Sequence, residues 1–154
     1  MRAGIISLTL TFLPLANAPC VVPACVCIRT VDPQPAVAAS AAVFIARALT
    51  VRAVPGYAES AAHMPDSLPL FMDRVTFVVE QGWKGTPPDT VSASIELTGP
   101  DCPTRFTPGD RYLVYAEQHD AQYVIGMCTR TARLGDSLAQ ADLRLLGQPL
   151  YQRP

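Results

Sequence analysis

The sequence predicts an all-β domain: a small closed barrel of five strands, OB-fold-like, with a C-terminal helix and an N-terminal arm stapled by disulfides. Three observations lead there. Five stretches carry the period-two alternation of apolar and polar residues that marks half-buried strands. The chain has 15 prolines in 154 residues, mainly early in the sequence and between those stretches, which disfavours a helical bundle. The one clear run with helical spacing comes last.

The first 24 residues read as a signal peptide. Arg2 supplies a short positive region. Ile5 to Leu15 is apolar but interrupted by Ser7, Thr9, Thr11 and Pro14, too short to span a bilayer and suited to export. Two small-x-small cleavage sites follow. Cutting after Ala16-Asn17-Ala18 would place Pro19 just past the scissile bond, which is unfavourable. Cutting after Val22-Pro23-Ala24 would make Cys25 the first residue, and this site is preferred. Val22-Pro23-Ala24-Cys25 also loosely matches a lipoprotein signal, which would acylate Cys25, although Pro23 fits that pattern badly. Residues 25–154 then form one domain of about 130 residues, long enough for a real core.

After Cys27, Arg29 to Pro35 reads as an extended, proline-bearing arm. Ala36 to Ala42 is alanine-rich, a short helix or turn into the first strand. Val43, Ile45, Arg47, Leu49 and Val51 alternate with their neighbours as that strand. Pro55 to Pro69 is a loop. Leu70 to Glu80 is the second strand, and Gly82-Trp83-Lys84-Gly85 is expected to turn. Val91 to Thr98 is the cleanest alternation in the chain. A loop with Cys102 leads through the Pro108-Gly109-Asp110 turn into a fourth strand, Arg111 to Glu117. His119-Asp120 turns again, and Ala121 to Cys128 is the fifth strand. Asp136 is placed to cap a helix in which Leu138, Ala141 and Leu145 share a face, with Leu146 beside them. Gly147 and Pro149 end it. Five strands and a terminal helix favour the small closed barrel over a β-sandwich.

The chain carries five cysteines. Removing Cys20 with the signal leaves Cys25, Cys27, Cys102 and Cys128, an even set as expected outside the cytoplasm. Four cysteines allow three pairings. Cys25 and Cys27 are poorly placed to join each other, so each is expected to reach Cys102 or Cys128.

Composition narrows the function. Net charge is −1 and 16% of residues are charged. No basic patch stands out, so no nucleic-acid partner is expected, and no second apolar segment suggests a membrane span. His63 and His119 are the only histidines, each in a loop or turn, and no zinc-binding spacing accompanies them. Neither a metal of its own nor a cofactor is expected. No G-x-S-x-G or paired-carboxylate pattern supports an enzyme. Trp83 is expected to cap one end of the barrel, with a partner-binding role as the alternative. Gly109 suits a turn and Gly126 a bulge.

Cys25-Val26-Cys27 remains. As the free N-terminus, Cys25 would offer an amine beside a carbonyl. The amine, with a pKa of about 8, has a neutral fraction able to ligate metal. With the carbonyl it forms a five-membered chelate, which could displace the water on the catalytic zinc of a metalloprotease. Val26 would then enter the neighbouring pocket.

Cys-x-Cys at a mature N-terminus, the proline-bearing arm, five strands and two later cysteines resemble the N-terminal domain of the tissue inhibitors of metalloproteinases. Ala42-Val43-Phe44-Ile45-Ala46, Val75-Thr76-Phe77-Val78-Val79 with Trp83-Lys84-Gly85, and Cys102 with Phe106 and Gly109 resemble bacterial relatives in that inhibitor and netrin-module group. So do Arg111-Tyr112-Leu113-Val114-Tyr115-Ala116 and Cys128-Thr129-Arg130-Thr131. The resemblance implies disulfides Cys25–Cys102 and Cys27–Cys128, with Cys25 as chelator and Val26 in the pocket. The animal inhibitors typically carry a small hydroxyl residue where Val26 stands, and their third disulfide and second domain have no counterpart here. The expected function is therefore a secreted or periplasmic, monomeric metalloprotease inhibitor. The alternative is a non-inhibitory envelope or extracellular binding module that uses Cys-x-Cys as a staple only.

Overall fold

The computed structural model describes residues 27, 30–56, 70–95 and 105–153. Its elements are α1 (Gln34–Ala39), β1 (Ala42–Gly56), β2 (Leu70–Lys84), β3 (Thr90–Ile95), β4 (Arg111–His119), β5 (Gln122–Ile125), β6 (Ala132–Arg133), α2 (Ser137–Leu146) and β7 (Tyr151–Gln152). Strands β1, β2, β3, β5 and β4 bond in that order, and β4 returns to β1, closing a ring. β3 and β5 run parallel, with Ala93 opposite Tyr123 and Ile95 opposite Ile125. The other ring pairings are antiparallel. A closed, five-stranded barrel of the OB type results. The sequence expectation of a barrel rather than a sandwich holds.

Alternation along the strands fills the inside. Phe44, Val75, Phe77, Val91, Ile95, Val114 and Ile125 are among the buried residues of the interior cluster. Each large apolar side chain removed from water there contributes on the order of 2 kcal/mol. One end of the interior is covered by Phe106, whose ring meets Phe77 edge-on at 5.3 Å and Tyr112 at 4.7 Å. The Tyr112 hydroxyl accepts the Thr107 N–H at 2.8 Å, fixing the approach of this segment.

A second cluster lies outside the ring. Val43, Ile45, Leu113 and Tyr115 face outward from β1 and β4 and meet Ala139, Leu143 and Leu146 of α2 and Ala36 and Val37 of α1. β1 and β4 are therefore buried on both faces over much of their length. α1 is only six residues long, too short to be stable alone. Lys84 at the end of β2 donates to the α1 carbonyls of Val37 (2.8 Å) and Ala38 (2.9 Å), satisfying acceptors that a helix end leaves open.

Several local expectations are corrected. β2 does not turn after Glu80. It runs on through Lys84, because Gly82 pairs with Phe44 on one side and Tyr151 on the other. The turn moves to Gly85, where φ is +68 and a Cβ would lie 2.8 Å from the Ala41 carbonyl oxygen. Trp83 does not cap the barrel. It packs with the outer cluster and donates its indole N–H to the Gly147 carbonyl at 2.9 Å. β5 ends at Ile125, short of Cys128. Gly126 opens a turn rather than a bulge, its carbonyl accepting the Thr129 N–H and hydroxyl. Gly109 turns as expected, at φ +90. The expected loop from Pro55 begins later, since β1 runs through Gly56. Residues 57–69, the distal part of the expected third strand and the Cys102 segment lie outside the described residues.

Candidate functional site: the N-terminal anchor

Among the described residues, the arm is tied to the barrel at two points. Cys27 is bonded to Cys128 in the turn after β5, a separation of 101 residues. Three residues further on, the Thr30 carbonyl accepts a hydrogen bond from Arg130 Nη1 at 2.6 Å. Beyond it, Thr30 Oγ1 donates to the Asp32 carbonyl, and an Asp32 carboxylate oxygen accepts the Gln34 N–H, which carries the chain into α1. Pro33 is fully buried at that junction.

Arg130 is held by the core layer between barrel and helix. Its Nε and Nη2 donate to Asp142 Oδ2 (2.8 Å) and Oδ1 (2.5 Å) in a bidentate fork. Side-chain exposure is 6% for Arg130 and 0% for Asp142. The Tyr115 hydroxyl donates to Asp142 Oδ2 at 2.9 Å. The carboxylate thus accepts three hydrogen bonds, and Arg130 has one amino group left for the arm. Bonding to Asp142 raises the Arg130 guanidinium further above its ordinary range. Burial, then the bond to Asp142, pushes the Tyr115 phenol well above its usual value. The adjoining turn is tied to β4 through Thr131, whose hydroxyl meets the Tyr115 N–H at 3.0 Å and the Thr129 hydroxyl at 3.1 Å.

A shallow groove of about 390 Å³ lies beside the anchor, with Ala36, Ala39, Met127, Cys128 and Arg130 in its walls. No cluster of three or more His, Cys, Asp or Glu side chains able to hold a metal ion occurs among the described residues. No helix among them is long and apolar enough to cross a membrane.

Of the residues singled out from sequence, Cys27 and Cys128 meet here, in the second of the two bonds that the resemblance implies. Cys25, Val26, Cys102 and His63 lie outside the described residues. His119 is exposed at the β4 end, 3.5 Å from Glu117. Sequence reasoning missed Arg130, Asp142 and Tyr115 as a unit. The available signal was an aspartate embedded in the leucine-rich run of α2.

No family model matches the chain, and no curated protein matches it.

Proposed function

We propose that this chain is an exported, TIMP-like inhibitor of zinc metalloproteases. Cleavage after Ala24 would free the Cys25 amine. That amine and the Cys25 carbonyl would chelate the catalytic zinc of the target, and Val26 would fill the adjoining pocket. The protein would act as a monomer outside the cytoplasm, with no metal or cofactor of its own and no enzymatic activity. The observation that supports this reading most is the double anchoring of the arm. Cys27 is covalently held at Cys128 and Thr30 is held by Arg130, so the chain is fixed two residues after Cys25. A preorganised binding segment gains affinity because less ordering entropy is lost on association.

The test begins with intact mass and N-terminal sequencing of the protein exported by its native host. The expected product starts at Cys25 with a free amine and two disulfides. It should inhibit at least one member of a zinc-protease panel, and N-acetylation should abolish inhibition. A lipidated Cys25, a start at Pro19, or inhibition indifferent to acetylation would refute chelation and leave the non-inhibitory binding module.

A further inference from the structure

We propose that the Arg130–Asp142 pair is a positioning device for the N-terminal arm, setting the direction in which the chain leaves the disulfide. This deepens the inhibitor reading and rests on it for its functional half. The pair is costly as a stability element alone. Two ionic groups almost fully removed from water gain little over an apolar pair of similar volume. What an apolar pair could not supply is the third bond. The fork onto Asp142 fixes the guanidinium plane, Tyr115 fixes the carboxylate, and the remaining amino group lands on the Thr30 carbonyl at 2.6 Å. A disulfide alone leaves its half-cystine free to swing about several single bonds. A second, directional contact three residues away removes that freedom. Lysine would not substitute, since one ammonium cannot reproduce the planar fork and still reach the arm.

The experiment uses the full exported protein and two variants: the paired replacement Arg130→Met with Asp142→Leu, and Arg130→Lys alone. The paired change removes both charges together, so the barrel is expected to stay folded. Hydrogen–deuterium exchange is followed separately for the arm (residues 27–36) and for β4, alongside inhibition of a responsive zinc protease. The expected result in both variants is faster exchange in the arm by about tenfold or more, with β4 protection kept in the paired variant. Inhibition should weaken by a similar factor, since the lost contact is a charged hydrogen bond. Arm exchange that is unchanged, or that rises only in step with β4, overturns the proposal. A loosened arm with undiminished inhibition overturns its functional half. If the wild-type protein inhibits no protease, the inhibitor reading fails with that functional half, and arm exchange alone decides the positioning claim.

Discussion

Tyr115 is fully buried between the barrel and α2, and its proton lies on a bond to Asp142. Ionising it would set a phenolate against a buried carboxylate. Burial and that bond push its pKa above the ordinary 10.0. The folded value is above the unfolded one, so the stabilisation is complete below about pH 10 and is lost as pH rises beyond it. The urea midpoint should therefore hold steady through neutral and mildly alkaline pH and fall above about pH 10. Tyr115→Phe should lose about 1 kcal/mol at neutral pH, one buried hydrogen bond, and show a shallower alkaline decline. Some decline should remain, because burial also raises Tyr151. Equal alkaline slopes for wild type and variant would refute this account. At the residue scale, only Asp142 within the leucine-rich run of α2 hinted at the network from sequence. Arg130 and Asp142 are 12 apart, Arg130 and Thr30 are 100 apart, and no motif joins them.

The β4–β5 connection is a two-residue hairpin loop, with His119 opposite Gln122. Asp120 and Ala121 both take positive φ, 46 and 66. This handedness suits the twist of a hairpin, but Ala121 carries a Cβ into a region that disfavours it. Ala121→Gly should raise stability by about 0.5–1 kcal/mol, read as a higher urea midpoint. A lower midpoint would mean that the loop is not left-handed in solution. The turn was legible to within one residue. The helix after it was legible in extent but not in facing. Apolar spacing set Leu138, Ala141 and Leu145 on one face with Leu146 beside them. Leu146 packs against the outer cluster, but α2 buries Ala139 and Asp142 and leaves Leu145 51% exposed. The inward face contains a charge satisfied by Arg130, so counting apolar residues rotates the helix. Asp136 is the N-cap residue as expected, yet its side chain makes no capping bond. β1 and β4 were found from alternation, but their burial on both faces could not be. The helices that cover them are distant in sequence.

For the whole molecule, the five ring strands and the closed barrel were readable, because a ring of short strands needs only alternation and turns; the two-residue strands β6 and β7 were not. The Cys27–Cys128 closure was half readable: cysteine parity demanded long-range bonds, and the family resemblance, not the spacing, supplied this pairing. That bond spans 101 residues, so replacing both cysteines by serine should lower stability by about 4 kcal/mol in the chain-entropy view, measured by urea denaturation under oxidising conditions. A loss under about 1 kcal/mol would mean that the unfolded chain is already constrained there. One consequence follows from the brevity of β5. Among the described residues this four-residue strand alone joins β3 to β4, and Cys128 and Arg130 lie just beyond it. That short seam and the two described tethers of the arm thus share one stretch of chain, residues 122–130. Parting that seam would slacken the arm, and gripping the arm from outside would draw the seam shut. A partner bound at the arm should therefore be felt as slower breathing across that seam, in β3, the strand paired with β5.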